Sequence, residues 1–288
     1  MENKGTKRGA LLALILAMSI FGTIGIFRQW IPLPSAAVAL GRSVIGAAFL
    51  LLVLALRRKR PDLAALRRVL WPLLLSGACL GANWVLLFEA YRYTSVATAT
   101  LCYYMAPILL ILLSPLLLRE RLTVKRILCV LVALLGMIPV SGVLEADGQG
   151  TGPRGVLLGL AAAALYAAVV LLNKRIAGLE PAEKTLLQFA VSALVLLPYV
   201  LLTELPLAAA PTLPAWLLLL LVGVVHTGLA YLLYFGAIAH LPAQTVAVFS
   251  YIDPLLAVLL SALFSAPLTL PTVVGGVLIL GAAIVSER

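Results

Sequence analysis

The chain has 288 residues, of which 63% are hydrophobic and only 11% are charged, and its mean hydropathy is +1.14. A soluble domain has about 45–50% apolar and about 25% charged residues, so a core of this size would leave much of the apolar surface in water. The net charge of +10 lies in short cationic runs between apolar segments, such as Arg57-Arg58-Lys59-Arg60. The composition excludes an ordinary soluble protein and predicts contacts with a lipid bilayer and none with nucleic acid.

A bilayer core needs about 20 apolar residues per helix, and the chain contains ten segments of about this length. They cover residues 9–29, 35–56, 71–91, 95–117, 124–143, 155–176, 185–203, 213–236, 243–264 and 271–286. The first segment is longer than the apolar core of a secretory signal and lacks a clear A-x-A-like cleavage site, so we interpret it as a membrane helix.

The distribution of Lys and Arg predicts the orientation of these segments. With a cytoplasmic N-terminus, the inner segments hold 17 of the 21 Lys and Arg residues, the outer ends and loops hold three, and Arg42 lies within the second segment. Cytoplasmic loops carry the excess of positive charge, so we expect both termini in the cytoplasm and the protein in the cell (inner) membrane.

The chain also contains an internal repeat. Shifting the sequence by 147 residues aligns Gly81–Leu116 with Gly228–Leu263, with 12 of 36 positions identical. Because five helices are an odd number, the second copy must enter the bilayer from the opposite side. We therefore predict an all-α integral membrane protein with ten transmembrane helices as two inverted five-helix repeats, residues 1–146 and 147–288. Such repeats are typical of secondary transporters, which hold their substrate near the bilayer midplane between the halves.

The sequence resembles the EamA family of the drug/metabolite transporter superfamily over its whole length. The resemblance rests on segments in both halves, which are Phe21-Gly22, Arg42, Tyr104-Met-Ala-Pro107, Arg119-Glu-Arg-Leu-Thr123, Gly136, Gly228-Leu-Ala-Tyr231, Ala243-Gln-Thr-Val-Ala and Ser250-Tyr-Ile-Asp-Pro254. It implies ten helices and the export, less often the uptake, of amino acids or other small metabolites.

Two titratable side chains are predicted near the midplane. Asp253 lies about ten residues into its segment, immediately before Pro254, and His226 lies about 13 residues into the preceding one. Ionisable groups at this depth are functional candidates by default. Asp253 could exchange protons with both sides, with His226 as a relay. The alternatives are that Asp253 binds a cationic part of the substrate, or that both side chains serve only packing.

A second charged group is expected closer to the outer surface. Arg42 lies about two turns below the outer end of its helix, too deep to reach the headgroups comfortably. Glu89 lies at the outer end of the third helix, where an ion pair with Arg42 would form an outer gate. Arg42 is also a candidate anchor for a substrate carboxylate, and purely structural pairing is the alternative.

Amphipathic side chains at similar depth are the candidate substrate-binding residues: Asn83, Trp84, Tyr103, Tyr104, Tyr166, Tyr231 and Tyr251. In the repeat, Trp84 corresponds to Tyr231 and Tyr104 to Tyr251, so a two-fold axis would place the members of each pair across from one another. Aromatic stripes more often serve packing, and we expect about half of these residues to line a cavity.

These patterns favour a secondary transporter, and an exporter in particular, of small metabolites such as amino acids. We expect it to work by alternating access, with proton coupling as one option. The alternative is a membrane-embedded enzyme that acts on a lipid-linked substrate. The chain has no HExxH, GxSxG or Walker A motif, so we expect no enzyme activity, no cofactor and no metal. The sequence leaves the substrate, the direction of transport and the oligomeric state open.

Overall fold

The computed structural model of the protein describes residues 4–57, 63–94, 96–119, 123–140, 153–204, 212–264 and 270–287. Within these ranges all regular secondary structure is helical. The helices are α1 (Lys4–Gln29), α2 (Ser35–Leu56), α3 (Leu63–Tyr93), α4 (Val96–Tyr103), α5 (Ala106–Leu118), α6 (Val124–Val140), α7 (Pro153–Arg175), α8 (Pro181–Thr203), α9 (Leu213–Leu221), a π-helical segment (Val222–Leu229), α10 (Ala230–Ile238), α11 (Ala243–Phe249), α12 (Ile252–Phe264) and α13 (Leu270–Glu287).

Seven helical stretches in the described ranges are long and apolar enough to cross a bilayer. They are Thr6–Ile24, Ser35–Leu56, Ala64–Tyr93, Thr98–Leu118, Pro153–Arg175, Pro181–Thr203 and Leu213–Ile238. Two shorter apolar helices, Ile127–Pro139 and Val273–Ala282, fall within the fifth and tenth predicted segments. Residues 141–143, which end the fifth predicted segment, lie outside the described ranges. The all-helical membrane architecture agrees with the sequence, and the ten-span inverted arrangement stays a prediction.

Two of the predicted segments are broken in the middle. The fourth divides into α4 and α5 at Tyr104 and Met105, and the ninth divides into α11 and α12 at Ser250 and Tyr251. Prolines follow at 107 and 254, and a proline cannot donate the backbone hydrogen bond that would continue a helix. At the 147-residue spacing the two breaks overlap at the mates Tyr104 and Tyr251.

Small residues allow the helices of the bundle to approach closely. A Cβ atom added to Gly81 of α3 would lie 2.9 Å from the carbonyl oxygen of Ser192 in α8. Its repeat mate Gly228, in the π-helical segment, packs as closely against the side-chain ring of Phe49 in α2. The α3–α8 and α2–π interfaces therefore use equivalent glycines.

Polar contacts join α2 and α8 at both ends of the bundle. At the end that carries residues 30–34, which we call the α1–α2 loop end, Glu204 accepts hydrogen bonds from the backbone N–H of Ala36 (3.3 Å) and Ala37 (2.8 Å). At the opposite end, Arg57 and Glu180 form an ion pair of 2.7 Å. These contacts hold the two helices together along their length.

Candidate functional site

A central cavity of about 190 Å³ lies where helices from both halves of the chain converge. Its lining combines aromatic rings with one cationic and one anionic side chain. The lining residues are Met18, Phe21, Ile24, Arg42, Trp84, Leu87, Phe88, Tyr103, Tyr104, Ala106, Pro107, Tyr166, Tyr231, Ser250 and Asp253. The helix breaks contribute Tyr104 and Ser250, so the irregular backbone of both repeats faces this space.

Five of the seven side chains predicted to bind substrate line this cavity, namely Trp84, Tyr103, Tyr104, Tyr166 and Tyr231. The rings of the two repeat pairs are neighbours, with ring centroids 6.3 Å apart for Trp84 and Tyr231 and 6.2 Å apart for Tyr104 and Tyr251.

The other two predicted residues, Asn83 and Tyr251, lie in the layer behind the wall. The Asn83 amide donates to the carbonyl oxygen of Ala162 (2.6 Å) and accepts from the Tyr103 hydroxyl (3.3 Å). The Tyr251 hydroxyl donates to the backbone carbonyl of Tyr104 (3.1 Å). Both side chains therefore orient rings that do line the cavity.

Arg42 is held in the cavity wall by two contacts. Its Nε–H donates to the Thr227 hydroxyl (2.9 Å), and its guanidinium lies 4.9 Å from the centroid of the Trp84 ring, a cation–π geometry. Thr227 belongs to the π-helical segment, and its hydroxyl donates to the carbonyl oxygen of Val222, five residues earlier (3.2 Å). The π-helical turn therefore positions the Thr227 hydroxyl, which accepts the hydrogen bond from Arg42.

Asp253 is half-buried in the wall of the same cavity, in the first turn of α12. A carboxylate is favoured at the N-terminal end of a helix, where the backbone N–H groups are unpaired. Arg42 is the cationic group that acts electrostatically on Asp253. No residue of the described ranges forms an ion pair or hydrogen bond with the Asp253 carboxylate, so its oxygens are available to a solute in the cavity.

A second cavity, of about 250 Å³, lies between the central cavity and the α1–α2 loop end. Its lining residues are Ile24, Ile31, Ser35, Val38, Ala39, Arg42, Phe88, Tyr91 and Val222. Ile24, Arg42 and Phe88 line both cavities, so Arg42 lies at the boundary between them.

Glu89 does not pair with Arg42 in this structure. Its carboxylate instead accepts hydrogen bonds from Arg92 (2.9 Å), one helical turn further along α3, and from the hydroxyl of Tyr199 on α8. Arg42 extends toward Thr227 and Trp84, on the other side of α3. The predicted Arg42–Glu89 ion pair is therefore wrong for this conformation, because helix rotation directs the two charges to different neighbours.

His226 lies outside the central cavity. Its Nε2 is 2.8 Å from the Thr23 hydroxyl, and its ring packs edge-on against Phe27. It lines an apolar groove between α1 and the π-helical segment, together with Leu221 and Leu256. In this position it has no contact with Asp253, and the predicted proton relay through His226 is not formed here.

The sequence did not identify Thr227 as a site residue, and Phe21 and Ser250 were not among the predicted site residues. Phe21 packs against Tyr231, with ring centroids 4.8 Å apart, and Ser250 lies at the break before α12. The signals available were the polar His226-Thr227 pair inside an apolar segment and the proline four residues after Ser250. The residues that the structure describes contain no group of three or more His, Cys, Asp or Glu side chains that could hold a metal ion.

Comparisons with known proteins identify the family and agree with the fold. The EamA-like transporter family matches residues 7–142 and again residues 153–287. The uncharacterized transporter YxxF of Bacillus subtilis is 30% identical over 262 residues, covering 90% of this chain and 83% of its own length. Protein RarD of Salmonella typhimurium is 30% identical over 275 residues, covering 92% of this chain and 88% of its own.

A solved crystal structure of 22% sequence identity shares the fold, with a TM-score of 0.83 and 96% of each chain covered. The family match covers nearly the whole chain, once for each half. Together with the apolar helices, these matches make the protein a multi-pass membrane protein. The chain belongs to the EamA-like transporter family.

Proposed function

We propose that this protein is a secondary transporter that binds a small metabolite in the central cavity and exposes it to each side of the membrane in turn. The observation that carries the proposal is the cavity itself, which both halves line. Among the described residues its wall holds the cationic Arg42 and the anionic Asp253, whose carboxylate has no ion-pair or hydrogen-bond partner there. Its relatives named as transporters support transport over an enzymatic function.

The packing of the helices supports two halves related by a two-fold axis, residues 1–146 and 147–288. Three interfaces have an equivalent in the other half. The α3–α7 interface corresponds to α10–α1, the α3–α8 interface to that of the π-helical segment with α2, and the α5–α7 interface to α12–α1. A residue close to such an axis must contact its own mate, as Tyr104 and Tyr251 do. With five spans in each half, this axis would lie in the membrane plane and both termini on the same face, which the distribution of Lys and Arg makes the cytoplasmic one.

The chemistry of the cavity favours a small zwitterionic solute such as an amino acid. The Arg42 guanidinium suits a carboxylate, Asp253 suits an ammonium group, and the aromatic walls suit an apolar side chain. The volume of about 190 Å³ is below the roughly 300–1,000 Å³ of pockets that enclose drug-sized ligands. We expect export to be the physiological direction and a proton gradient to drive it through Asp253.

A transport assay with purified protein in liposomes tests this proposal. We expect at least one of the twenty proteinogenic amino acids, each supplied as a radiolabelled probe, to enter protein-containing vesicles faster than protein-free ones. We also expect an imposed pH gradient to change its accumulation. Vesicles with the Arg42→Gln variant are the comparison, because this change removes the charge that would bind the carboxylate, together with its contacts to Thr227 and Trp84. Equal rates in wild-type, variant and protein-free vesicles for every probe would contradict the proposed substrate class.

A further inference from the structure

Three side chains form the boundary between the two cavities. Ile24 of α1, Arg42 of α2 and Phe88 of α3 each line both the central cavity and the second cavity. The second cavity lies on the side of the α1–α2 loop end, so a solute that moves between the central cavity and that end passes these three residues. With free space on both sides of them, they form the narrow point of a passage toward that end.

The repeat mates of these three residues are packed shut. At the 147-residue spacing the mates are Leu171 on α7, Phe189 on α8 and Phe235 on α10. Phe189 and Phe235 are 0% exposed, and Leu171 is 3% exposed. Positions that line a passage in one half of the chain are thus filled by buried apolar side chains in the other half.

The two phenylalanines lie directly behind a wall residue of the central cavity. The Tyr231 ring lines that cavity and packs against Phe189 and Phe235, with ring centroids 5.2 and 5.4 Å apart. Phe189 lies about 14 Å along the helix axis from Glu180, which pairs with Arg57 at the opposite end of the bundle. The two rings therefore separate the central cavity from this end, which we call the Arg57–Glu180 end.

A polar contact closes the same end beyond the rings. The Lys174 ammonium, in the last turn of α7, donates to the carbonyl oxygens of Ile238 (3.2 Å) and Leu241 at the end of α10. A cation is favoured there because the last carbonyl groups of a helix lack backbone partners. The contact joins the ends of the helices that carry Leu171 and Phe235, and separation of these two ends would break it.

We propose that Leu171, Phe189 and Phe235 form a gate that closes the central cavity toward the Arg57–Glu180 end, which we call the closed gate. Their three mates at the boundary between the cavities form the equivalent gate toward the α1–α2 loop end, the open gate. In an inverted repeat the two halves exchange conformations, so the closed gate opens as the open gate packs shut. The inference rests on the proposed alternating transport.

The two gates differ in chemical character at one position. Arg42 of the open gate corresponds to Phe189 of the closed gate, so a solute carboxylate meets a cation at one gate and only apolar side chains at the other. Moving a charged group from water into an apolar constriction is costly. The closed gate therefore holds a charged solute inside the cavity until the helices separate.

Labelling of Ser250→Cys from each face tests the two gates. The background protein lacks the native cysteines, which are Cys79, Cys102 and Cys129. A membrane-impermeant thiosulfonate is added to one face of the vesicle at a time, and the rate from the Arg57–Glu180 end is divided by the rate from the α1–α2 loop end. We expect Phe235→Ala to raise this ratio by about tenfold, because it removes packing that the present conformation has and the alternative one lacks. Phe88→Ala, at the mate of Phe235, should lower the ratio by about tenfold, because Phe88 is packed only in the alternative conformation.

Val246→Ala is the control for these two variants. Val246 and its mate Ala99 are both 0% exposed, so this position is packed in either conformation and the ratio should stay that of the parent. Phe235→Leu, with a shift in the same direction, replaces Phe235→Ala if the latter does not fold. An unchanged ratio in Phe235→Ala and Phe88→Ala, or shifts in the same direction, would overturn the inference.

The same experiment separates the gates from the proposed function. Opposite shifts in the two variants without transport of any amino acid would support the gates and count against the proposed substrate class alone. A parent protein that reacts only from the α1–α2 loop end would count against alternating access. In that case Phe235→Ala must create reactivity from the Arg57–Glu180 end, and its failure to do so would overturn the closed gate.

Discussion

Asp253→Asn is expected to lower the rate of amino acid transport by about 10- to 150-fold, the equivalent of the 1.5–3 kcal/mol that a hydrogen bond to a charged group contributes. The change removes the charge of the carboxylate and keeps its shape. The Asp253 carboxylate has no hydrogen-bond or ion-pair partner among the described residues. The substitution therefore weakens binding of the solute in the cavity and leaves the packing of α12 intact. The measurement is the initial rate of uptake by proteoliposomes, with folding checked by size-exclusion chromatography.

Glu89→Gln is the matched control for that substitution. Its carboxylate lies outside both cavities and is bound to Arg92 and Tyr199, so we expect a change of less than about fivefold, as for other partly exposed ion pairs. Comparing downhill exchange with pH-driven accumulation separates the two roles of Asp253. Loss of accumulation alone indicates proton coupling, and loss of both indicates contact with the solute. If both activities of Asp253→Asn matched the wild type, Asp253 would have only a structural role.

Gly22→Val is expected to destabilise the protein by about 1–3 kcal/mol or more, the usual cost of overpacking, and to abolish transport. A Cβ atom at Gly22 would lie 2.6 Å from the carbonyl oxygen of Asp253 and 2.9 Å from the Cβ of Leu256. Helices α1 and α12 would have to separate, and Asp253 would move with α12. The measurement is the midpoint of thermal unfolding in detergent, together with the transport rate.

The control for this prediction lies on the same helix. A Cβ atom at Gly9 of α1 meets no heavy atom within 4 Å, and valine has the same helix propensity at both positions. Gly9→Val should therefore keep the wild-type midpoint and rate. Equal losses of stability in the two variants would mean that the added side chain, and not the α1–α12 contact, determines the effect.

The apolar segments and the repeat were readable from the sequence because both depend on local composition or on spacing. The 147-residue shift pairs Tyr104 with Tyr251 and Trp84 with Tyr231, and the structure places both pairs in contact. Arg42 and Asp253 stood out because charges are rare within apolar segments. Depth in the membrane follows from counting residues, and this information placed both charges at the level of the cavity.

The direction in which each side chain points was not readable from the sequence. His226 has the depth expected of a proton relay, but the rotation of its helix turns it toward Thr23 and Phe27. The π-helical turn that presents Thr227 to Arg42 has no distinctive local motif. Lys184 directly precedes the predicted seventh segment, and only tertiary packing buries it. Side-chain direction depends on helix rotation and on neighbours distant in sequence, which a single sequence does not specify.

The central claim is that one cavity is exposed to both faces of the membrane in turn, and a cysteine at Ser250 tests it most directly. Ser250 lines the central cavity, and its hydroxyl donates to the carbonyl oxygen of Val246 (2.8 Å) and interacts with the Tyr234 hydroxyl. Cysteine has nearly the same size as serine, so Ser250→Cys should fold normally. In a protein in which Cys79, Cys102 and Cys129 are replaced, we expect a membrane-impermeant thiol reagent to modify Ser250→Cys from either face. A transported amino acid should slow both reactions. Modification from one face only, under every substrate and pH condition, would contradict alternating access.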